Sequence, residues 1–220
     1  MRKVTGGIFQ SLDGIMQAPG GPTEDPTGGF DMGGWSKTYW DDLMGEAVGG
    51  MFAAPFDLLL GRKTYEIFAG HWPFMTGDPV GEMFDRVGKY VVTSSVTPLD
   101  WRGSRALNGD AAEAIRALKA TTGPDLLVQG SSELYPTLFD HGLIERLIVM
   151  TFPVVLGQGK RLFAHGLTPF SVRLVDHKVS TTGVIISTYE PAGEVPLGTF
   201  QREQSSEAEL ARQARMQAEG

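Results

Sequence analysis

The chain has no cysteine. Disulfides, thiolate zinc sites and cysteine nucleophiles are therefore excluded. It also lacks any apolar run of membrane-spanning length, and it lacks a basic excess. The formal charge of -7 and sequence pI near 5.1 argue against a duplex nucleic-acid partner, which needs a basic face. The start, Met1-Arg2-Lys3-Val4, enters no long apolar run, so no signal peptide is expected and a cytoplasmic setting follows. What remains is an ordinary globular composition, 41% hydrophobic and 20% charged over 220 residues. That is enough for one well-filled core. From Pro191 the composition shifts and residues 201–220 are rich in Glu, Gln, Arg and Ala, so the expected division is one domain over 1–192 and a solvated polar tail over 193–220.

Short apolar runs set the fold class. Leu126-Leu127-Val128, Leu58-Leu59-Leu60 and Tyr90-Val91-Val92 are too short for helices and read as strands buried on both faces. Val4 to Gln10 and Leu147 to Phe152 add two more, the latter continued through Pro153-Val154-Val155-Leu156. Helices are expected over 36–53, capped by Ser36, and over 81–87 and 111–120. Ser171 to Val179 and Val184 to Tyr189 form a hairpin around Ser180-Thr181-Thr182-Gly183. Strands alternating with helices and closing on an antiparallel pair give an α/β sheet layered by helices.

The chemistry gathers at strand ends. After Leu126-Leu127-Val128 come Gly130 and Ser131-Ser132-Glu133-Leu134, a glycine turn and a serine-capped helix start that offer N–H groups to an anion. After Leu58-Leu59-Leu60 come Gly61-Arg62-Lys63-Thr64. Cations in a first helical turn oppose the dipole, and a bound phosphate would explain them. Thr93-Ser94-Ser95 closes a third strand. Ligands of open α/β sheets sit at such carboxyl ends. Two phosphate-binding turns suit a dinucleotide with an extra phosphate, such as NADPH, with Arg62 and Lys63 on the monoester and the Gly130 turn on the pyrophosphate. The Gly- and Pro-rich loop over 17–34 reads as a lid bordered by Phe30 and Trp35. Asp41 and Asp42 in a first turn suit the helix dipole, and helix stabilisation is their first expected role; an acid beside Trp35 and Trp40 could also protonate or anchor a heterocycle. The histidines at 71, 141, 165 and 177 have no ligand spacing, so no metal is expected.

Together Ser11-Leu12-Asp13-Gly14, Leu60-Gly61-Arg62-Lys63-Thr64-Tyr65-Glu66, Val92-Thr93-Ser94-Ser95, Gln129-Gly130-Ser131 and Pro153-Val154-Val155-Leu156-Gly157-Gln158-Gly159 resemble the dihydrofolate reductase superfamily. More narrowly, the chain is similar to stand-alone relatives of the reductase domain of bacterial riboflavin biosynthesis, over about residues 2–191. The resemblance implies a dihydrofolate reductase-like three-layer fold with a mostly parallel sheet of about eight strands, helices on both faces and a C-terminal hairpin. It also implies an NADPH site and often a homodimer. In that scheme Gly61 to Thr64 and Thr93 to Ser95 hold the adenosine phosphate end. The Gly130 turn through Leu134 takes the pyrophosphate, and the loop from Gly14 covers the nicotinamide. Two departures are a Gly130-Ser131 step in place of a Gly-Gly pair and Trp35 without the proline that usually precedes it.

The expected activity is hydride transfer from NADPH to a small heterocyclic, carbonyl or imine compound, with the proton from Asp13, Asp41 or water. A nucleotide-binding protein without turnover is the alternative. A serine hydrolase using Ser131 or Ser132 with His141 or His165 lacks the second glycine of a nucleophile elbow.

Overall fold

Leu58-Leu59-Leu60 shows how the layers arise. Neighbouring strand residues point to opposite faces. In the computed structural model, which describes residues 1–163, 167–200 and 205–219, Leu58 and Leu60 pack on one side of a sheet with Tyr65 and Phe84. Leu59 packs on the other side with Ile115, Leu118 and Leu138. The strand is thus buried twice, and helices cover both faces.

The strands are β1 (Val4–Ser11), β2 (Phe56–Gly61), β3 (Lys89–Val92), β4 (Ser104–Leu107), β5 (Asp125–Gln129), β6 (Arg146–Phe152), β7 (Ser171–Val179) and β8 (Ile185–Gly193). They form one eight-stranded sheet in the order β4-β3-β2-β5-β1-β6-β8-β7. Strands β1 to β6 run parallel, and β8 and β7 close the sheet as an antiparallel hairpin. The helices are α1 (Asp42–Met51), α2 (Arg62–Ala69), α3 (Pro79–Arg86), α4 (Ala111–Ala120), α5 (Tyr135–Asp140) and α6 (Glu207–Glu219). Side chains of α4 and α5 fill one face, and those of α1, α2 and α3 fill the other. No helix among the described residues is long and apolar enough to cross a membrane.

Several expected boundaries move, each for a local reason. The helix expected over 36–53 begins at Asp42, because Asp41 rather than Ser36 is its cap and accepts from the Met44 N–H at 2.9 Å. Ser36 instead donates its hydroxyl to the Pro19 carbonyl at 2.7 Å, ahead of a short 3-10 turn at Lys37–Tyr39. Strand β6 stops at Phe152, since Pro153 has no N–H to continue a ladder. Strand β8 runs to Gly193, one residue past the expected domain end, and Gly193 pairs with Ser171. The tail contains α6, with no buried residue.

Lys89, the first residue of β3, is fully buried. Its ammonium donates to the carbonyls of Asp85 (3.0 Å) and Arg102 (2.8 Å) and lies 4.2 Å from the centre of the Trp101 ring. Burial pushes this ammonium down to about 8, against the opposing pull of Asp85. Between that value and the ordinary lysine range the unfolded chain binds more protons than the folded one. Stability from this group therefore rises with pH through the window. The full swing is about 3 kcal/mol. Urea denaturation of the wild type and of Lys89→Met at pH 7.5 and pH 10 checks it: the wild type should gain on the variant at the higher pH. A constant difference would show that the buried ammonium titrates normally.

Candidate cofactor and substrate cleft

Strands β3, β2, β5 and β1 are neighbours, so their carboxyl ends lie side by side over about 14 Å at ordinary strand spacing. A cleft of about 590 Å³ runs along these ends. At the β3 end it is lined by Thr93, Ser94 and Ser95. At β2 it is lined by Gly61, Arg62, Lys63 and Thr64, and at β5 by Gln129, Gly130, Ser131, Ser132, Glu133 and Leu134. The β1 end is lined by Gly7 and Phe9 and by Met16, Gln17, Ala18, Pro19 and Glu24 of the following loop. An annex of about 420 Å³ continues between Gln17, Thr27, Lys63, Gln158 and Lys160.

The β2 and β5 turns are built as one unit. The Ser131 hydroxyl accepts from the Gly61 N–H at 2.9 Å, and the Ser131 N–H donates to the Thr64 hydroxyl at 3.0 Å. Gly130 has φ +60°, and a Cβ there would meet the Thr64 methyl at 3.2 Å. Only glycine gives both the left-handed backbone and this close approach. Ser131 follows at φ 59°, also left-handed; of the two serines expected as a cap it holds the N-cap position, but its hydroxyl is engaged by Gly61 and makes no cap bond. The next turn is a 3-10 segment at Ser132–Leu134, and Pro136 lies in the first turn of α5, where its missing N–H costs little.

Arg62 is aimed by its neighbours. Its guanidinium donates to Glu66 at 2.6 Å and to the Thr97 carbonyl at 2.9 Å, beside the turn in which the Ser95 N–H is held by the Thr93 hydroxyl at 3.0 Å. Lys63 is exposed, has no hydrogen bond or ion pair among the described residues, and faces both the cleft and its annex.

Part of the loop over 17–34, expected as a lid, forms the far wall and is tied to Lys160. The Gln17 amide donates to the carbonyls of Asp25 and Thr27, each at 2.9 Å, and accepts from the Lys160 N–H at 3.0 Å. The Lys160 ammonium pairs with Asp25 and reaches the Thr27 hydroxyl. Burial pushes the Asp25 carboxyl up, but Lys160 and Thr27 outweigh it and hold it below the ordinary aspartate range. Phe30 is buried beneath this wall.

Five expected site residues do not line the cleft. Asp13 accepts from the Ser11 hydroxyl (2.6 Å) and from the N–H groups of Leu156 (3.1 Å) and Gly157 (2.9 Å). Partial burial pushes its carboxyl up, but these bonds prevail and hold it low, as an anion that ties the β1 turn to the loop after β6. Gly14 belongs to that turn, its N–H bonded to the Ser11 carbonyl at 2.9 Å. Asp41 caps α1 and also accepts from the N–H (2.8 Å) and hydroxyl (2.7 Å) of Thr181 in the hairpin loop. The Met44 N–H first, and then Thr181, keep its carboxyl low. Both carboxylates are committed to structure and are poor proton donors near neutrality. Trp35 is buried, donating to the Gln17 carbonyl at 2.8 Å with its ring edge-on to Phe152. Trp40 stands outside, tilted against Phe9 at 6.1 Å. Of the hydrolase alternative, His141 ends α5 and is exposed, while His165 lies outside the described residues.

Residues 2–186 match the model of the RibD C-terminal domain. The chain belongs to that family. The matched RibD C-terminal domain thus spans strands β1 to β7 and the start of β8. Among relatives, the uncharacterized protein YyaP of Bacillus subtilis (strain 168) is 26% identical over 137 residues, 60% of this chain and 72% of its own. The crystal structure of a putative riboflavin biosynthesis protein from Shewanella sp. PV-4 superposes with a TM-score of 0.61 at 18% identity, covering 86% of this chain and 99% of that one. Dihydrofolate reductase from Enterococcus faecalis, solved with NADP(H), superposes with a TM-score of 0.53 at 13% identity, covering 86% and 96%. The dihydrofolate reductase-like architecture is thereby shown, and the family and these neighbours support a reductase-like fold.

Proposed function

We propose that the chain is an NADPH-dependent reductase of a small organic compound, heterocyclic or otherwise, with the phosphate end of the cofactor over β2, β3 and β5 and the reacting end beside β1. The observation that carries this reading is the joining of the Gly61 and Gly130 turns through Ser131 and Thr64, with Arg62 and Lys63 at the same mouth. The donor set fits the group. The Gly130 turn and the 3-10 start at Ser132 line the cleft, where their backbone N–H groups would meet a pyrophosphate. Lys63 has no competing anion among the described residues. Arg62 and Ser94 flank the place for a terminal monoester. When bound, NADPH supplies the hydride. The protein's share is to align the compound against Phe9, Met16 and Gln129 and to exclude water from that end.

Titration calorimetry with NADPH and NADH tests the reading. NADPH is expected to bind at least tenfold tighter, because only it carries the extra phosphate. Absence of binding by either nucleotide would leave a shared fold without the cofactor site. Binding without oxidation by any of a panel of pterins, flavin precursors and quinones would favour a protein that holds nucleotide without turnover.

A further inference from the structure

We propose that Glu24 is the proton donor of the cleft, presenting its Oε1 to the compound being reduced; this rests on the reductase reading above. Four of the charged side chains lining the cleft have other tasks or lie elsewhere. Asp25 and Lys160 neutralise each other, Arg62 is at the β2 mouth, and Glu133 is exposed at the β5 turn. Lys63 is a cation already assigned to the cofactor phosphate. Glu24 is the carboxyl that remains.

Its geometry suits the task. Oε2 accepts from the N–H groups of Gly20 (2.6 Å) and Gly21 (3.2 Å), which fixes the side chain against the backbone of its own loop. Oε1 accepts no hydrogen bond among the described residues, so one oxygen is anchored and the other is available. The same wall carries Met16, Ala18 and Pro19, and Glu24 itself is half-buried. Burial pushes its pKa up first, the Gly20 and Gly21 amides pull it back, and of the charges acting on it Asp25 raises it and His71 lowers it. The net displacement is upward, so the proton is retained closer to neutrality than in an ordinary glutamate.

The step balances. The carbon of a C=N or C=O bond gains the hydride of NADPH, which leaves as NADP+. The π pair moves to nitrogen or oxygen, and that atom forms its bond to the proton as the Glu24 O–H breaks. The carboxylate recovers a proton from water.

Two measurements need no knowledge of the natural compound. In ligand-free protein labelled with 13C at the glutamate carboxyl, the resonance missing from Glu24→Gln should titrate above the ordinary glutamate range. A midpoint in or below that range overturns the proposal, whether or not NADPH binds. Calorimetry of NADPH binding at pH 5.5, in two buffers of different ionisation enthalpy, then reads protons taken up. Filling the cleft removes water beside Oε1 and should raise the affinity for a proton further. The wild type is expected to take up a few tenths of a proton more than Glu24→Gln, with Glu24→Asp restoring part of the difference. Equal uptake by wild type and Glu24→Gln overturns the assignment while leaving the cofactor site intact. Failure of NADPH to bind at all would instead remove the reductase reading.

Discussion

Replacing Arg62 and Lys63 together by alanine is expected to weaken NADPH binding about 100-fold and NADH binding less than tenfold. Hydrogen bonds to charged groups contribute about 1.5–3 kcal/mol each, so losing two corresponds to about 3 kcal/mol or more, and 1.4 kcal/mol is tenfold. The comparison between nucleotides isolates the extra phosphate. Arg62 also holds Glu66 and the Thr97 carbonyl, so its removal loosens the start of α2 and the Thr93–Thr97 turn for both ligands. That shared loss should appear in NADH binding. The phosphate-specific loss should appear only in NADPH. Lys63→Ala alone, which breaks no side-chain hydrogen bond or ion pair among the described residues, should give a smaller but cleaner loss of preference. Equal losses for the two nucleotides would show that neither cation meets the extra phosphate.

Asp57→Ala is expected to be the more damaging change for the fold, by about 3–5 kcal/mol. Arg2 is 3% exposed, and its guanidinium pairs with Asp57 and donates to the Pro124 carbonyl while lying 5.1 Å from the centre of the Tyr90 ring. Asp57 also accepts from the Gly88 N–H at 2.8 Å. One carboxylate thus joins the approaches to β1, β2, β3 and β5. Removing it leaves a buried guanidinium without its counter-charge and an N–H without its acceptor. At about 2–4 °C per kcal/mol for a domain of this size, the thermal midpoint should fall by about 10 °C, read by far-ultraviolet circular dichroism. A fall of under 3 °C would mean that water reaches Arg2. The double variant Arg2→Met, Asp57→Ala should recover part of the loss, since it removes the stranded charge.

The central strands were legible because each is a short apolar run closed by glycine or hydroxyl residues, and α4 because strong helix formers follow Asp110. Strand β4, Ser-Arg-Ala-Leu, was not: it is a four-residue edge strand with no fully buried side chain, so it leaves no apolar run. The resemblance supplied the eighth strand that the pattern did not. At the cleft, the turns after β2, β3 and β5 announce themselves by glycine, cations and hydroxyls close in sequence. The fourth wall does not. Gln17, Asp25 and Thr27 meet Lys160 across more than 130 positions, and Glu24 is anchored by Gly20 and Gly21 amides that no spacing rule marks. Asp41 caps a helix as its place at a helix start suggested, but the catalytic role given to it and to Asp13 misled for the converse reason. A carboxylate at a turn or helix start looks available in sequence, and only the fold shows the N–H groups that occupy it.

The strand order also sets a timetable for synthesis. Strand β1 is made first, yet its two neighbours are β5 and β6, so Val4 waits for Leu126 and Thr5 for Arg146. At about 5–20 residues per second, a nascent β1 spends roughly 6–24 s with both edges unpaired. During that interval only β2, β3 and β4, joined by α2 and α3, can pair with one another. Ribosome-bound chains arrested before residue 125 should therefore be the form that chaperones hold, and β5 is the strand whose emergence lets the two halves of the sheet join.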